Sequence, residues 1–152
     1  MSTIEKQDII NTDNLSTQYG IAAGIMMSAL LLAFQISGSD FSPFMKLSKY
    51  IILALLLTVA LKVYKNKISG DIFIKGISFG AKLSFVAGLV LVITNFVLYF
   101  INPAIAFSKY GLEPSAVSGV AVISAILFFE TFVFGNIISF SVLQYLKGGR
   151  LK

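Results

Sequence analysis

Two residue types that carry much enzyme chemistry are missing from this 152-residue sequence, which has no cysteine and no histidine. Without cysteine the chain cannot form a disulfide, a thiolate nucleophile or a thiolate-held iron–sulfur cluster. Without histidine it lacks the commonest general base and the usual imidazole ligand of zinc and haem. Charge is scarce too: Asp, Glu, Lys and Arg make up 12% of the residues, against about 25% in an average soluble domain. Carboxylates, amines and hydroxyls are the groups left for chemistry.

Apolar residues are abundant instead. They account for 57% of the chain, which includes fourteen phenylalanines, and the mean hydropathy is +0.87. A soluble globule of this size has too little interior to hide so many large apolar side chains. A soluble lipid-binding helical bundle would need a charged face on each helix, yet no residue between Thr17 and Ser39 is charged. The composition predicts a single-domain integral membrane protein with the lipid bilayer as its surroundings.

Four long apolar runs organise the chain. A bilayer core of about 30 Å needs about 20 helical residues, and each run is close to that length or longer. They predict an all-α, four-helix transmembrane bundle with spans at about 17–36, 47–64, 74–101 and 116–146. Residues 1–16 are predicted to be a polar cytoplasmic lead-in, helical near Thr3 to Ile10, without a signal-peptide pattern. Residues 147–152 form a basic tail.

The distribution of lysine and arginine predicts the orientation. Nine basic residues flank one side of the predicted spans: Lys6, Lys62, Lys65, Lys67, Lys75, Lys82, Lys147, Arg150 and Lys152. Three lie on the other side, namely Lys46, Lys49 and Lys109. The positive-inside rule therefore places both termini in the cytoplasm. The net charge of +5 comes from basic residues at the ends of the spans, where they face anionic lipid headgroups. No nucleic-acid partner is therefore predicted.

Small residues recur at the spacing that brings transmembrane helices close together. These GxxxG-type ridges comprise Gly20, Gly24 and Ser28 in the first span, Gly76, Gly80, Ser84 and Gly88 in the third, and Gly135 and Ser139 in the fourth. Two interpretations are open. The ridges form an interface with a second copy or another membrane protein, or they pack the helices of one chain together.

Glu130 is the one acidic residue inside a predicted span, about 18 Å from the outer end of the fourth segment. An acid at that depth costs about 2.5–3.5 kcal/mol to insert and marks a candidate functional site. Asn95, with Thr94 beside it, is predicted at a similar depth as its partner. Lys82 is predicted to snorkel to the interface, too far from Glu130 to pair with it, and Asn136 lies closer to Lys82 in depth. The group is either a proton or cation site, or a polar clamp between helices or subunits.

No catalytic motif frames the serines, and no phosphate-binding loop is present. We therefore expect no enzyme activity, no cofactor and no metal. The predicted second loop, Tyr64 to Lys75, mixes basic and large apolar residues, which suits either lipid headgroups or a protein partner.

Three stretches resemble a family of small four-helix membrane proteins common in Bacteroidetes-type bacteria, domain of unknown function family 4199. They are the Tyr19-Gly20…Gly24 opening of the first span, the Tyr64-Lys65…Ser69-Gly70 loop, and Ile77-Ser78-Phe79-Gly80-Ala81-Lys82. The resemblance covers nearly the whole chain and implies a four-helix topology in a bacterial inner (plasma) membrane, without an assigned activity. Glu130 and the aromatic-rich fourth segment depart from it, so it implies no role for them.

The sequence as a whole favours a non-enzymatic accessory or scaffold subunit that packs with itself or with a larger membrane complex. The alternative is a small transporter or channel-like oligomer that uses Glu130. Transport has less support from the sequence, because Glu130 has no second acid, histidine or arginine in the predicted spans and no proline-broken helix nearby.

Overall fold

The computed structural model describes residues 3–36, 43–67, 72–102 and 117–148, and in these ranges the chain is helical apart from Asn102. Its four helices are α1 (Thr3–Ile36), α2 (Pro43–Lys67), α3 (Ile72–Ile101) and α4 (Val117–Gly148). All four are long and apolar enough to cross a membrane, over Asn14–Ile36, Leu47–Lys67, Phe73–Ile101 and Ser118–Leu146. The predicted all-α class and the four helices long and apolar enough to span a membrane are confirmed for the described residues.

The helix ends follow from local sequence. α1 runs without a break through most of the predicted lead-in, because no glycine or proline interrupts residues 3–19. α2 begins with Pro43, whose missing N–H is not needed in the first helical turn. α3 ends before Asn102-Pro103, where proline disfavours helical backbone at the preceding residue, and the Asn102 amide donates to the Leu98 carbonyl.

The predicted second loop is largely helical. α2 continues to Lys67 and α3 starts at Ile72, so the described part of this segment belongs to two helix ends. The Tyr64 hydroxyl donates to the Lys75 carbonyl at 3.4 Å, and the Tyr64 ring stacks on Phe79 with 4.2 Å between centroids. These contacts fix the end of α2 against the start of α3. Residues 68–71, which include Ser69 and Gly70 of the predicted loop, lie outside the described residues.

Neighbouring helices of the bundle include one parallel and one antiparallel pair with α3. Gly20 faces Leu83 and Gly24 faces Val90, so α1 and α3 run parallel. Gly80 faces Ser139 and Gly135 faces Ser84, so α3 and α4 run antiparallel. α3 packs against each of the other three helices, whereas α1 and α4 contact each other least and occupy opposite corners.

Large apolar side chains occur both inside and outside this bundle. The interior positions of α2 repeat at four-residue spacing with Leu53, Leu57 and Leu61 fully buried. Yet Ile51 and Leu55, on the outward side of the same helix, are each 63% exposed. A water-soluble bundle places polar residues at such positions, so the outer surface suits lipid contact.

The small-residue ridges pack within the chain. A Cβ atom added at Gly20 or Gly24 would collide with α3, and one added at Gly76 or Gly88 would collide with α4. Of the two interpretations of these ridges, the structure agrees with the second, because the ridges bring helices of a single chain close together.

The closest approach is a reciprocal contact that we call the Gly–Ser seam, formed by Gly80 and Ser84 of α3 and Gly135 and Ser139 of α4. Each glycine gives space to the serine of the opposite helix. Each serine hydroxyl donates to the glycine carbonyl of its own helix, Ser84 to Gly80 at 2.8 Å and Ser139 to Gly135 at 2.7 Å. The hydroxyls are thereby satisfied without water, and the backbones can pack closely in an apolar environment.

Candidate functional site

Glu130 lies near the middle of its candidate span. At 1.5 Å per residue it is about 18 Å from Ser118 at one end and about 24 Å from Leu146 at the other. Its side chain is 38% exposed on the outer surface of the bundle, at the junction of α2 and α4. The carboxylate is therefore on the lateral surface of the bundle, near the middle of the α4 span and beside the first turn of the α2 span, whose third residue is Lys49.

Two donors from α2 hold this carboxylate. The Lys49 ammonium donates to Oε2 at 2.9 Å, and the Tyr50 hydroxyl donates to the same oxygen at 2.8 Å. The Lys49 side chain is fully buried. The Tyr50 ring stacks on Phe134 with centroids 4.3 Å apart, which orients its hydroxyl towards Glu130. Among the described residues, the second carboxylate oxygen, Oε1, accepts no hydrogen bond.

The ion pair follows from the register of α2. Lys49 precedes Leu53 and Leu57 at four-residue spacing, so it lies on the inward face of the helix. An ammonium on that face is stable only with a compensating charge, and Glu130 supplies it through a short charge-assisted hydrogen bond. The pair as a whole carries no net charge.

Lys49 is a residue of the candidate site that the sequence analysis did not group with Glu130. It was counted among the outer-side cations at the start of the second span, and the structure buries its side chain in the bundle interior at that point of α2. The four-residue spacing of Lys49 from the buried residues Leu53 and Leu57 could have indicated that its side chain faces the bundle interior.

The predicted polar group does not come together around Glu130. Asn95 donates to the Ser124 hydroxyl at 2.9 Å, and Thr94 donates to the Val90 carbonyl of its own helix, so the predicted pairing of Asn95 with Glu130 is wrong. By helix rise, the Asn95–Ser124 contact lies about 9 Å from Glu130 along the bundle.

The other two residues of the predicted polar group also lie apart from Glu130, which for Lys82 agrees with the prediction that it is too far away to pair. Asn136 donates to the Phe132 carbonyl at 2.7 Å, within its own helix. Lys82 is exposed on α3. Neither residue contacts Glu130, whose hydrogen-bonding partners within the described ranges are Lys49 and Tyr50.

The chemistry available here is that of an ion pair with one free acceptor. The Ser84 and Ser139 hydroxyls donate to backbone carbonyls, an arrangement typical of helix-packing serines. Two buried hydroxyls, Ser28 and Thr131, have no hydrogen-bond partner in the described part of the chain. Within the same ranges, no group of three or more acidic residues could hold a metal ion.

Compared with known proteins, the chain matches no family model, no curated protein and no solved structure. The resemblance to domain of unknown function family 4199 stays a prediction.

Proposed function

We propose that this protein is a non-enzymatic integral membrane subunit, an accessory or scaffold protein that assembles with a larger membrane complex. The observation that carries the proposal is the carboxylate of Glu130, which is 38% exposed at mid-span with one oxygen unbonded in the described part of the chain. Facing lipid, such a group is unfavourable, because an intramembrane acid costs about 2.5–3.5 kcal/mol to insert. Assembly with another membrane protein covers it.

The alternative function, a small transporter or channel-like oligomer that uses Glu130, has less support from the geometry. A cation-binding carboxylate needs uncompensated negative charge, whereas the Lys49 ammonium lies 2.9 Å from Glu130. An incoming cation would have to displace a fully buried lysine. The ion pair therefore favours a stationary role in assembly over a carrier cycle.

We further propose that both termini are cytoplasmic and that the membrane is a bacterial inner membrane. Lys49 contributes no charge to the outer side because it is buried against Glu130, which reduces the outer count from three basic residues to two. Lys62, Lys67 and Lys75 are exposed at the other end of the bundle, where cytoplasmic headgroups are anionic. The Lys65 ammonium donates to the Leu146 carbonyl at 3.3 Å, which stabilises the C-terminal end of α4.

The orientation can be tested by thiol labelling, because the sequence has no native cysteine. Lys67→Cys and Asn102→Cys each introduce one thiol at an exposed position, at opposite ends of the bundle. A membrane-impermeant maleimide should label the Asn102→Cys variant in intact cells. It should label the Lys67→Cys variant only after the membrane is opened. The reverse pattern would contradict cytoplasmic termini.

The assembly role predicts a defined complex. When the protein is extracted gently from its own membrane, native mass spectrometry should show it in a stoichiometric particle with a larger membrane protein, because the exposed Glu130 needs a cover. The control is extraction in a harsh detergent, which should release a species of the 16.5 kDa chain mass. A lone monomer under gentle extraction would contradict the assembly role and strengthen the transporter alternative.

A further inference from the structure

The close contacts between the helices allow their outer surfaces to be compared at equal height along the bundle axis. Gly80 of α3 lies against Ser139 of α4 and near Leu57 of α2, and Gly20 of α1 meets α3 at Leu83. Counting along each helix from these contacts defines a layer of equal height near one end of the bundle. This lower layer comprises residues 14–18 of α1, 55–62 of α2, 75–82 of α3 and 137–144 of α4.

On the side formed by α1 and α3, the exposed side chains of the lower layer are polar. They are Asn14, Gln18, Lys75, Ser78 and Lys82. Among the described residues of these two helices, Ile74 is the one large apolar side chain exposed next to the layer. A lysine can extend to reach the headgroups, but a serine or an asparagine is too short to do so. The polar surroundings of this side therefore begin within the lower layer itself.

On the side formed by α2 and α4, the same layer is apolar. The large side chains exposed there are Leu55 at 63%, Val59 at 48%, Ile137 at 56% and Phe140 at 49%. The exposed Ser141 hydroxyl donates to the Ile137 carbonyl at 2.9 Å, which satisfies it without water. Longer polar side chains are exposed at the lower edge of the layer, at Lys62 and Gln144. Most of this surface suits lipid acyl chains.

The other end of the bundle shows the opposite difference. There α1 and α3 expose large apolar side chains, with Ile36 at 77%, Phe100 at 74% and Ile101 at 71%. At the same height, α4 exposes Ser118 and Ala121. The apolar surface is therefore displaced towards the lower end on the α2–α4 side and towards the upper end on the α1–α3 side. A flat bilayer covers such a surface when the bundle is tilted.

The size of the displacement gives the tilt. Lys62 is five residues from Leu57, so it is level with Lys75, five residues from Gly80. The polar boundary thus runs from Lys82 on one side to a point seven residues lower on the other, which is about 10 Å. Helices of about 5 Å radius with axes about 10 Å apart put the two outer surfaces about 20 Å apart. The resulting tilt of about 25–30° is within the range of about 0–40° seen for transmembrane helices.

We propose that the bundle is tilted in the bilayer and that the polar surface of α1 and α3 in the lower layer binds the headgroups of the cytoplasmic leaflet. Lys75 and Lys82 favour anionic phospholipids on this surface. The inference rests on the membrane insertion and orientation proposed above and is independent of the assembly role. It adds a lipid partner and assigns that partner to one side of the bundle.

The test measures the depth of single fluorophores in purified protein reconstituted in vesicles of phosphatidylcholine and phosphatidylglycerol. A nitrobenzoxadiazole group is attached to the Ser78→Cys variant on α3 or to the Val59→Cys variant on α2, two exposed positions at the same height. Quenching by a headgroup nitroxide lipid is compared with quenching by a chain nitroxide lipid. We expect position 78 to lie about 9 Å closer to the headgroups than position 59.

A second pair of variants tests the tilt at the upper end. Phe100→Cys on α3 and Ala121→Cys on α4 are exposed at nearly the same height. There the order should reverse, with position 121 closer to the headgroups than position 100. A bilayer that is merely thinned along the α1–α3 side would bring both α3 positions closer to the headgroups instead.

The lipid charge is tested at position 78. Nitroxide-labelled phosphatidylglycerol should quench it at least about twofold more strongly than the matching phosphatidylcholine. The combined change Lys75→Gln and Lys82→Gln should abolish this preference. Lys62→Gln is the matched control, because Lys62 is exposed on the other side, and should leave the preference unchanged.

Several outcomes would overturn the inference. Equal depths at positions 78 and 59, or the same order of depth at both ends of the bundle, would contradict the tilt. Quenching of position 78 by aqueous iodide but by neither lipid would identify a water-filled crevice in place of a headgroup surface. Equal quenching by the two lipid classes would contradict the anionic partner. If the chain nitroxide quenches none of the four positions, the chain is not inserted, and the proposed membrane insertion fails as well.

Discussion

Replacement of Lys49 by methionine should destabilise the bundle by about 3 kcal/mol. Methionine fills much of the volume of the buried lysine stem, so the main loss is the ammonium that donates to Glu130 at 2.9 Å. The Glu130 carboxylate then remains at mid-span with the Tyr50 hydroxyl as its one donor among the described residues. An uncompensated intramembrane acid costs about 2.5–3.5 kcal/mol, and breaking a buried ion pair in soluble proteins costs about 3–5 kcal/mol.

A double-mutant cycle separates the ion pair from packing effects. Glu130→Leu alone removes the carboxylate that lies 2.9 Å from a fully buried ammonium and should be similarly destabilising. Lys49→Met combined with Glu130→Leu removes both charges, so the double variant should lose less than the sum of the single losses. We expect a coupling energy of at least about 1 kcal/mol.

The measurement is unfolding in mixed micelles with increasing dodecyl sulfate, followed by circular dichroism, since the chain has no tryptophan for fluorescence. Lys62→Met is the matched control, because Lys62 is an exposed lysine on the same helix. It should change the free energy of unfolding by less than about 0.5 kcal/mol. Strictly additive losses in the cycle would contradict a direct ion pair between Lys49 and Glu130.

The number of helices was predictable because membrane-crossing length and apolar composition are local properties of the sequence. Runs of about 20 apolar residues ended by Ser-Gly or Asn-Pro leave few alternatives for the backbone in lipid. One difference lies in α1, where the predicted lead-in, expected to be helical near Thr3 to Ile10, and the predicted span form one continuous helix from residue 3 to residue 36. Polarity changes along residues 3–36 while the backbone stays helical, because a change from polar to apolar side chains does not interrupt the hydrogen-bonding pattern.

The partner of Glu130 was not predictable from depth alone. Asn95 was placed at a similar depth by counting residues from segment ends, but the axial register of α3 against α4 is set by the Gly–Ser seam. That register pairs Asn95 with Ser124 and leaves Glu130 about 9 Å away along the bundle. Which neighbour fills the space beside each glycine depends on tertiary packing, and so does the approach of Lys49 and Tyr50 of α2 to Glu130.

Enlarging Gly80 to leucine should prevent the native packing of α3 against α4. Even a single Cβ atom at Gly80 would overlap the Ser139 side chain, lying 2.6 Å from its Cβ atom. Ser139 has little freedom to move aside, because its hydroxyl donates to the Gly135 carbonyl at 2.7 Å and Gly135 in turn accommodates Ser84. The free energy of unfolding should fall by more than about 1–3 kcal/mol, which is the cost typical of overpacking a core with extra methylenes.

The matched control is Ala121→Leu, which adds a large side chain at an exposed position of α4 and should unfold at the same dodecyl sulfate concentration as the parent chain.

A second pair of variants tests the contact between Gly80 and Ser139 directly. Gly80→Ala should be destabilising alone, and Ser139→Gly added to it should recover much of the loss, because the space vacated by the serine side chain then accommodates the new methyl group.

These variants also discriminate between the two uses of a small-residue ridge. If the ridge packs the chain's own helices, Gly80→Leu lowers the stability of the isolated monomer in detergent, and any loss of assembly follows from that. If the ridge were an interface between proteins, the isolated monomer would keep its stability and only the complex would dissociate. A stable Gly80→Leu monomer that fails to assemble would contradict the Gly–Ser seam. It would also remove the main reason for assigning partner contact to the opposite, Glu130-bearing side of α4, since the ridge itself would then be the interface.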